Sequence, residues 1–93
     1  EIKSGVIINS GSIIEHHCVI KECVTIDSNV TLAGNVVVES FSHLHASVTV
    51  INKVKISNNA IIGAGAVVIN DIESYTTNIG VPSKILKRHQ YND

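Results

Sequence analysis

The sequence predicts an all-β domain, a parallel β-helix of triangular coils, and three observations carry that reading. The first is a six-residue period. Ile2, Ile8, Ile14, Ile20, Ile26, Leu32, Val38, Leu44, Val50, Ile56, Ile62 and Val68 are all branched aliphatics, although only 31 of the 93 residues are Val, Ile or Leu. With six registers to choose from, chance gives such a run on the order of once in 10⁵ sequences. The second is a companion set four residues later, small or β-branched: Val6, Ser12, Cys18, Val24, Val30, Val36, Ser42, Val48, Val54, Ala60 and Ala66. The third is a polar, turn-prone stretch between them, as in Asn9-Ser10-Gly11, Asp27-Ser28-Asn29, Ser57-Asn58-Asn59 and Gly63-Ala64-Gly65. Such residues favour turns, and Asn and Gly tolerate left-handed backbone angles.

Two inward positions per six residues, divided by a corner, describe a short strand followed by a turn. Twelve hexads then make about four coils of eighteen residues, with no insertion. An amphipathic helix is excluded, because a six-residue step turns a helix by about 600° and scatters the aliphatics. The residue before each inward aliphatic points outward. From Ile7 on there are eleven such positions, and six are apolar (Ile7, Ile13, Val19, Val37, Ile61 and Val67). A prism wetted on every side would not carry so many, so part of the outer wall is expected to pack on further copies of the chain.

The ladder is expected to end after Val68. Residues 70–73 leave the last coil and residues 74–78 form a loop. Ser83 is placed to cap a short helix over residues 84–89. The division is therefore 1–72 for the β-helix and 73–93 for a C-terminal loop and helical tail of the same domain.

Composition sets limits on function. A net charge of −1 gives no argument for a nucleic-acid partner or an anionic membrane surface. Apolar runs are too short to span a bilayer, and no charged leader with an apolar stretch follows the start. Cys18 and Cys23 are too few for a disulfide framework and suit a reduced, cytoplasmic compartment. The chain opens on Glu1, already inside the repeat and with no methionine anywhere. That is expected of a piece of a longer protein.

One stretch carries chemistry. A step of eighteen, one full coil, places His16 beneath Gly34. An imidazole beside a residue with no side chain is a candidate general base next to an accessible backbone amide. The plain alternative for His16, as for His17, His43 and His45, is a polar residue on a solvated wall. Cys18 occupies an inward small position and reads as packing.

The hexad ladder resembles the bacterial hexapeptide-repeat acyltransferases. So do Glu15-His16-x-Cys18-Val19-Ile20, Ala33-Gly34-Asn35, Ile62-Gly63-Ala64-Gly65-Ala66-Val67-Val68 and Gly80-Val81-Pro82-Ser83-Lys84. Within them the chain looks most like acetyltransferases acting on sialic acid and nucleotide-linked amino sugars. The resemblance implies a left-handed parallel β-helix and a homotrimer. It also implies acetyl-coenzyme A as co-substrate in grooves between subunits, no metal, and a sugar acceptor acetylated on nitrogen or oxygen. Handedness comes from the resemblance alone, since crossovers in ordinary parallel sheets are right-handed. Full-length members carry an N-terminal nucleotide-sugar-binding domain that is absent from this chain.

Residue by residue, the resemblance makes His16 the base and the Gly34 amide the oxyanion donor. Ala46 and Ala64 match backbone contacts to the pantetheine arm, and Gly80, Pro82 and Lys84 match the segment over the nucleotide end. Glu15, His17, Thr25 and His43 are candidates to orient the base or contact the acetyl group. Two departures stand out. The acidic residue that usually follows the catalytic histidine is His17 here, and a second histidine nine residues after the base is Thr25, with His43 one coil further in the same column. Two other classes are compatible with a prism: a catalytically inactive trimerisation scaffold, and a γ-type carbonic anhydrase. The second needs three zinc-binding histidines, two of them five residues apart, and no pair here has that spacing.

Overall fold

In a computed structural model, which describes residues 1–89, the chain is a left-handed parallel β-helix. Eleven two-residue strands build its walls: β1 (Ile7–Ile8), β2 (Ile13–Ile14), β3 (Val19–Ile20), β4 (Thr25–Ile26), β5 (Thr31–Leu32), β6 (Val37–Val38), β7 (His43–Leu44), β8 (Thr49–Val50), β9 (Lys55–Ile56), β10 (Ile61–Ile62) and β11 (Val67–Val68). Two longer strands follow, β12 (Thr76–Ile79) and β13 (Lys84–Arg88). The first face stacks β1-β4-β7-β10-β12-β13, the second β2-β5-β8-β11, and the third β3-β6-β9. Within the walls each strand pairs in parallel with the one eighteen residues away, as in Thr25↔His43 and Ile14↔Leu32. The six-residue period is therefore the geometry of one face, and three faces make one coil.

The corners turn because one residue per hexad takes a left-handed backbone conformation. It falls at Gly5, Gly11, His17, Cys23, Asn29, Asn35, Phe41, Ser47, Lys53, Asn59 and Gly65, with φ between 56° and 77°. Only some of these are Gly or Asn. Each side chain forced into this region costs about 1–2 kcal/mol, so the core must outweigh that strain.

It has the means to do so. From Ile20 to Val68 every member of the first inward set is buried, as is every member of the second from Cys18 to Ala66. The small inward polar residues are satisfied by the corner of the next coil. Ser42 Oγ donates to the Ser57 carbonyl at 2.8 Å and accepts from the Ala60 amide at 3.2 Å. Ser12 repeats the pattern with Asp27 O and Val30 N, and Cys18 Sγ reaches Ala33 O at 3.2 Å. A hydroxyl at an inward slot thus serves a turn rather than interrupting the core.

The C-terminal end differs from expectation twice. Residues 74–78 are not a loop throughout, because β12 continues the first face, pairing Ile61↔Thr77 and Ile62↔Asn78. Residues 84–89 form no helix, because β13 returns antiparallel along β12. The pattern Lys84-Ile85-Leu86-Lys87-Arg88 has no helical stripe to bury, whereas the β12 edge offers a row of backbone groups to pair. Thr76 and Asn78 fill the last inward slots, joined by Asn78 Nδ2 donating to Thr76 Oγ1 at 2.9 Å. Arg88 donates to Glu73 at 2.7 Å across the hairpin and holds that carboxyl below its ordinary range. Among the described residues no helix is long and apolar enough to cross a membrane.

Candidate functional site

His16 and Gly34 meet as the column arithmetic requires. His16 lies in the corner between β2 and β3, and Gly34 in the corner between β5 and β6, one coil above. The flanking pairs Ile14↔Leu32 and Val19↔Val37 lock the two corners in register. The Asn35 amide then donates to the His16 carbonyl at 3.0 Å, and the Ala33 amide to Val50 O at 3.0 Å. His16 is exposed and Gly34 buried. What covers Gly34 is the imidazole: a Cβ there would stand 2.5 Å from His16 Cε1 and 2.6 Å from Nε2. Glycine is required at this point by a close approach of side chain to backbone, not by its dihedral angles.

The ring has two distinct edges. Its Nε2 side lies over Gly34, while Nδ1 stands 3.0 Å from Nδ1 of His17, the rings meeting edge-on at 81°. In that pair one nitrogen donates and the other accepts. If His16 donates from Nδ1, its Nε2 carries a lone pair above Gly34, the form a general base needs. His17 can therefore do part of what an acidic neighbour would do, accepting the Nδ1 proton, but without a negative charge. Its direction is set by the corner, where its φ is 59°. Glu15, on the other side, is exposed.

The remaining expected residues lie elsewhere in the coil. Thr25 and His43 are partners on the first face, away from the corner that carries His16. Ala46 and Ala64 share the corner between the first and second faces, where the Gly65 amide donates to Ala46 O at 2.9 Å. Gly80 extends that column: its carbonyl accepts from Val67 N at 3.1 Å, and Ile79 packs where a Cβ on Gly63 would be. Pro82, joined to Val81 by a cis peptide, and Lys84 follow it into the hairpin. A cavity of about 360 Å³ lies beside them, lined by Asn70, Asp71, Ile72, Asn78, Ser83, Lys84 and Ile85. One chain thus presents two separate groups on two different corners: the His16–Gly34 stack, and the Ala46–Ala64–Gly80 column.

A third group was not anticipated. Asp27, directly below His45 in its column, places Oδ2 3.1 Å from His43 Nε2 and 3.4 Å from His45 Nδ1. The sequence signal for it was the step of eighteen from Asp27 to His45.

Comparison with known proteins supports an acetyltransferase reading. No protein-family model matches the chain. A serine acetyltransferase of Buchnera aphidicola subsp. Schizaphis graminum is 27% identical over 88 residues, 91% of this chain and 34% of its own length. The structure of a serine acetyltransferase in complex with cysteine superposes with a TM-score of 0.92 at 26% identity, covering 97% of this chain and 39% of that one. The H141A mutant of GDP-perosamine N-acetyl transferase from Caulobacter crescentus, in complex with CoA and GDP-perosamine, gives 0.65 at 29% identity over 92% and 50%. Fold, repeat and relatives together support the hexapeptide-repeat acyltransferase family, without singling out its sialic acid subgroup. The chain spans little more than a third of the serine acetyltransferases it matches.

Proposed function

We propose that this chain is the catalytic β-helix of an acetyl-coenzyme A-dependent acetyltransferase whose acceptor is an amine or hydroxyl of a sugar or nucleotide-linked sugar. The observation that carries the reading is the His16 Nε2 edge lying over Gly34. His16 Nε2 takes the proton from the acceptor as its nitrogen or oxygen attacks the thioester carbonyl. The Gly34 amide donates to the oxyanion that forms. Collapse re-forms the carbonyl, breaks the C–S bond and releases the coenzyme as its thiol once the sulfur is protonated. His17 holds His16 in the productive tautomer by accepting from Nδ1. The relatives whose names specify serine favour a second acceptor, the serine hydroxyl. Measuring coenzyme release with serine and with a nucleotide-linked amino sugar decides between them, and release with neither removes both.

The coenzyme is assigned to the corner carrying Ala46, Ala64 and Gly80, with its phosphates near Lys84. Because that corner is complete in the chain, acetyl-coenzyme A raises the thermal midpoint by mass action on the folded state. Saturation at 100 times the dissociation constant corresponds to about 2.7 kcal/mol. Absence of a shift at millimolar coenzyme would count against the assignment.

We infer a trimer, which the two-corner arrangement supports. Base and coenzyme column lie on corners at opposite ends of the second face, so a neighbouring copy must bring one to the other. The outward Ile13 and Val67 on that face, the first 52% exposed, supply apolar area for the contact. Sedimentation at micromolar concentration is expected to show three chains; a monomer alone would leave the site divided.

A further inference from the structure

We propose that Asp27, His43 and His45 form a binding site for a divalent transition-metal ion, with zinc the ion their chemistry suits best. The three donor atoms lie within 4.8 Å of one another on a half-buried patch. Two imidazole nitrogens converge on one carboxylate oxygen, at 3.1 and 3.4 Å. Tetrahedral zinc with bonds of about 2.0–2.2 Å sets its ligands about 3.4 Å apart, so small side-chain rotations open the cluster enough to admit the ion. Imidazole and carboxylate together select zinc, cobalt or nickel over magnesium and calcium, which take oxygen ligands. Three protein donors leave a fourth position for water or an added ligand.

The scaffold holds these donors before any ion arrives. Asp27 and His45 occupy successive rungs of one column, and His43 is two residues from His45 on the same wall. Their amides are fixed by the ladder, Asp27 N to Leu44 O, His43 N to Ala60 O and His45 N to Ile62 O, each at 2.9 Å. The imidazoles stack with centroids 4.0 Å apart at 17°, which keeps both nitrogens on the carboxylate side. The other oxygen, Asp27 Oδ1, faces Asn9 Nδ2 at 3.5 Å, an outer partner of the kind that orients a metal-binding carboxylate. The sequence favoured a solvated wall over metal ligation for His43 and His45, and nothing in it brought Asp27 to them. The site instead joins residues one coil apart, in the column next to that of Ala46 and Ala64.

The test uses the chain freed of metal by a chelator and titrated with zinc chloride, with cobalt(II) as an optical probe. Saturation at one ion per chain is expected, with a cobalt absorption typical of mixed nitrogen and oxygen ligation that zinc abolishes. His45→Ala and Asp27→Asn should each remove the saturable uptake, and Asn9→Ala should weaken it by roughly 10–100-fold. His17→Ala, which removes the other pair of adjacent imidazoles, should leave it intact. Circular dichroism confirms that the variants keep the β-helix, and the wild-type cobalt spectrum reads the ligands without any variant. No saturable uptake of either ion would overturn the proposal. So would uptake that survives His45→Ala and Asp27→Asn together but is lost in His17→Ala. In either case Asp27 is only a hydrogen-bond acceptor for two surface histidines.

Discussion

On the proposed mechanism, His16→Ala is expected to lower the turnover of acetyl transfer by roughly 10²–10⁴-fold, the usual contribution of a positioned general base. Coenzyme binding and assembly are expected to survive. The His16 side chain is exposed and belongs to neither the core nor the proposed coenzyme column, and its carbonyl keeps the Asn35 amide in any variant. His17→Ala costs much less, because it removes an acceptor from Nδ1 and leaves Nε2 in place. His17→Glu replaces that acceptor with a charged one and should steady the imidazolium that forms during transfer. Steady-state release of coenzyme by the intact enzyme measures all three. Near-normal turnover in His16→Ala, with loss in His17→Ala or His43→Ala, would move the base elsewhere.

Gly34→Ala damages the same step by a different route. The added Cβ would lie 2.5 Å from His16 Cε1, a distance real carbons do not adopt, so the imidazole must swing away. The position does not require a left-handed backbone, so alanine adds no conformational strain of its own. The rate should therefore fall by about 10²-fold, the cost of misplacing a catalytic group by about an ångström, while the thermal midpoint changes little. Combining the two substitutions provides a sharper check. If alanine at 34 acts by displacing the ring, the double variant is no slower than His16→Ala alone, since residues acting as one unit are not additive. Additive losses would mean that the Gly34 amide, and not the ring position, had been disturbed.

Much of the fold was legible because the period is a property of the backbone. Ile20 through Val68 could be placed inside from their spacing alone, and the same spacing placed His16 under Gly34. Two things were not. Residues 76–79 and 84–88 lie beyond the last full hexad, where neither the six-residue period nor a helical stripe distinguishes strand from loop or helix. Their pairing depends on the open edge of β10, a tertiary fact. The Asp27 cluster escaped for another reason: Asp27 and His45 share a column, yet side-chain direction at a corner follows from dihedral angles that composition does not encode. The tautomer chosen by His16 and His17 likewise appears only when their ring nitrogens are seen 3.0 Å apart.

The fixed distance between paired residues gives this wall a reading frame. The His16–Gly34 contact and the Asp27–His45 contact each need their two members one coil apart, and their windows overlap from Asp27 to Gly34. No change of length within residues 16–45 can spare both, since even a whole added coil would part at least one pair. At the far end the frame does shift. Val50 to Ile56 spans six residues but Val68 to Ile72 only four, so the last pairings, Ile56↔Ile72 and Ile61↔Thr77, close at sixteen. Asp71 Oδ1 accepts from the Lys55 amide at 2.9 Å in the shortened corner, a side chain standing in where the backbone falls short. Two missing residues bring Thr76 and Asn78 into the inward columns of Ala60 and Ile62, and the coil stops there, as a message stops at a shifted codon.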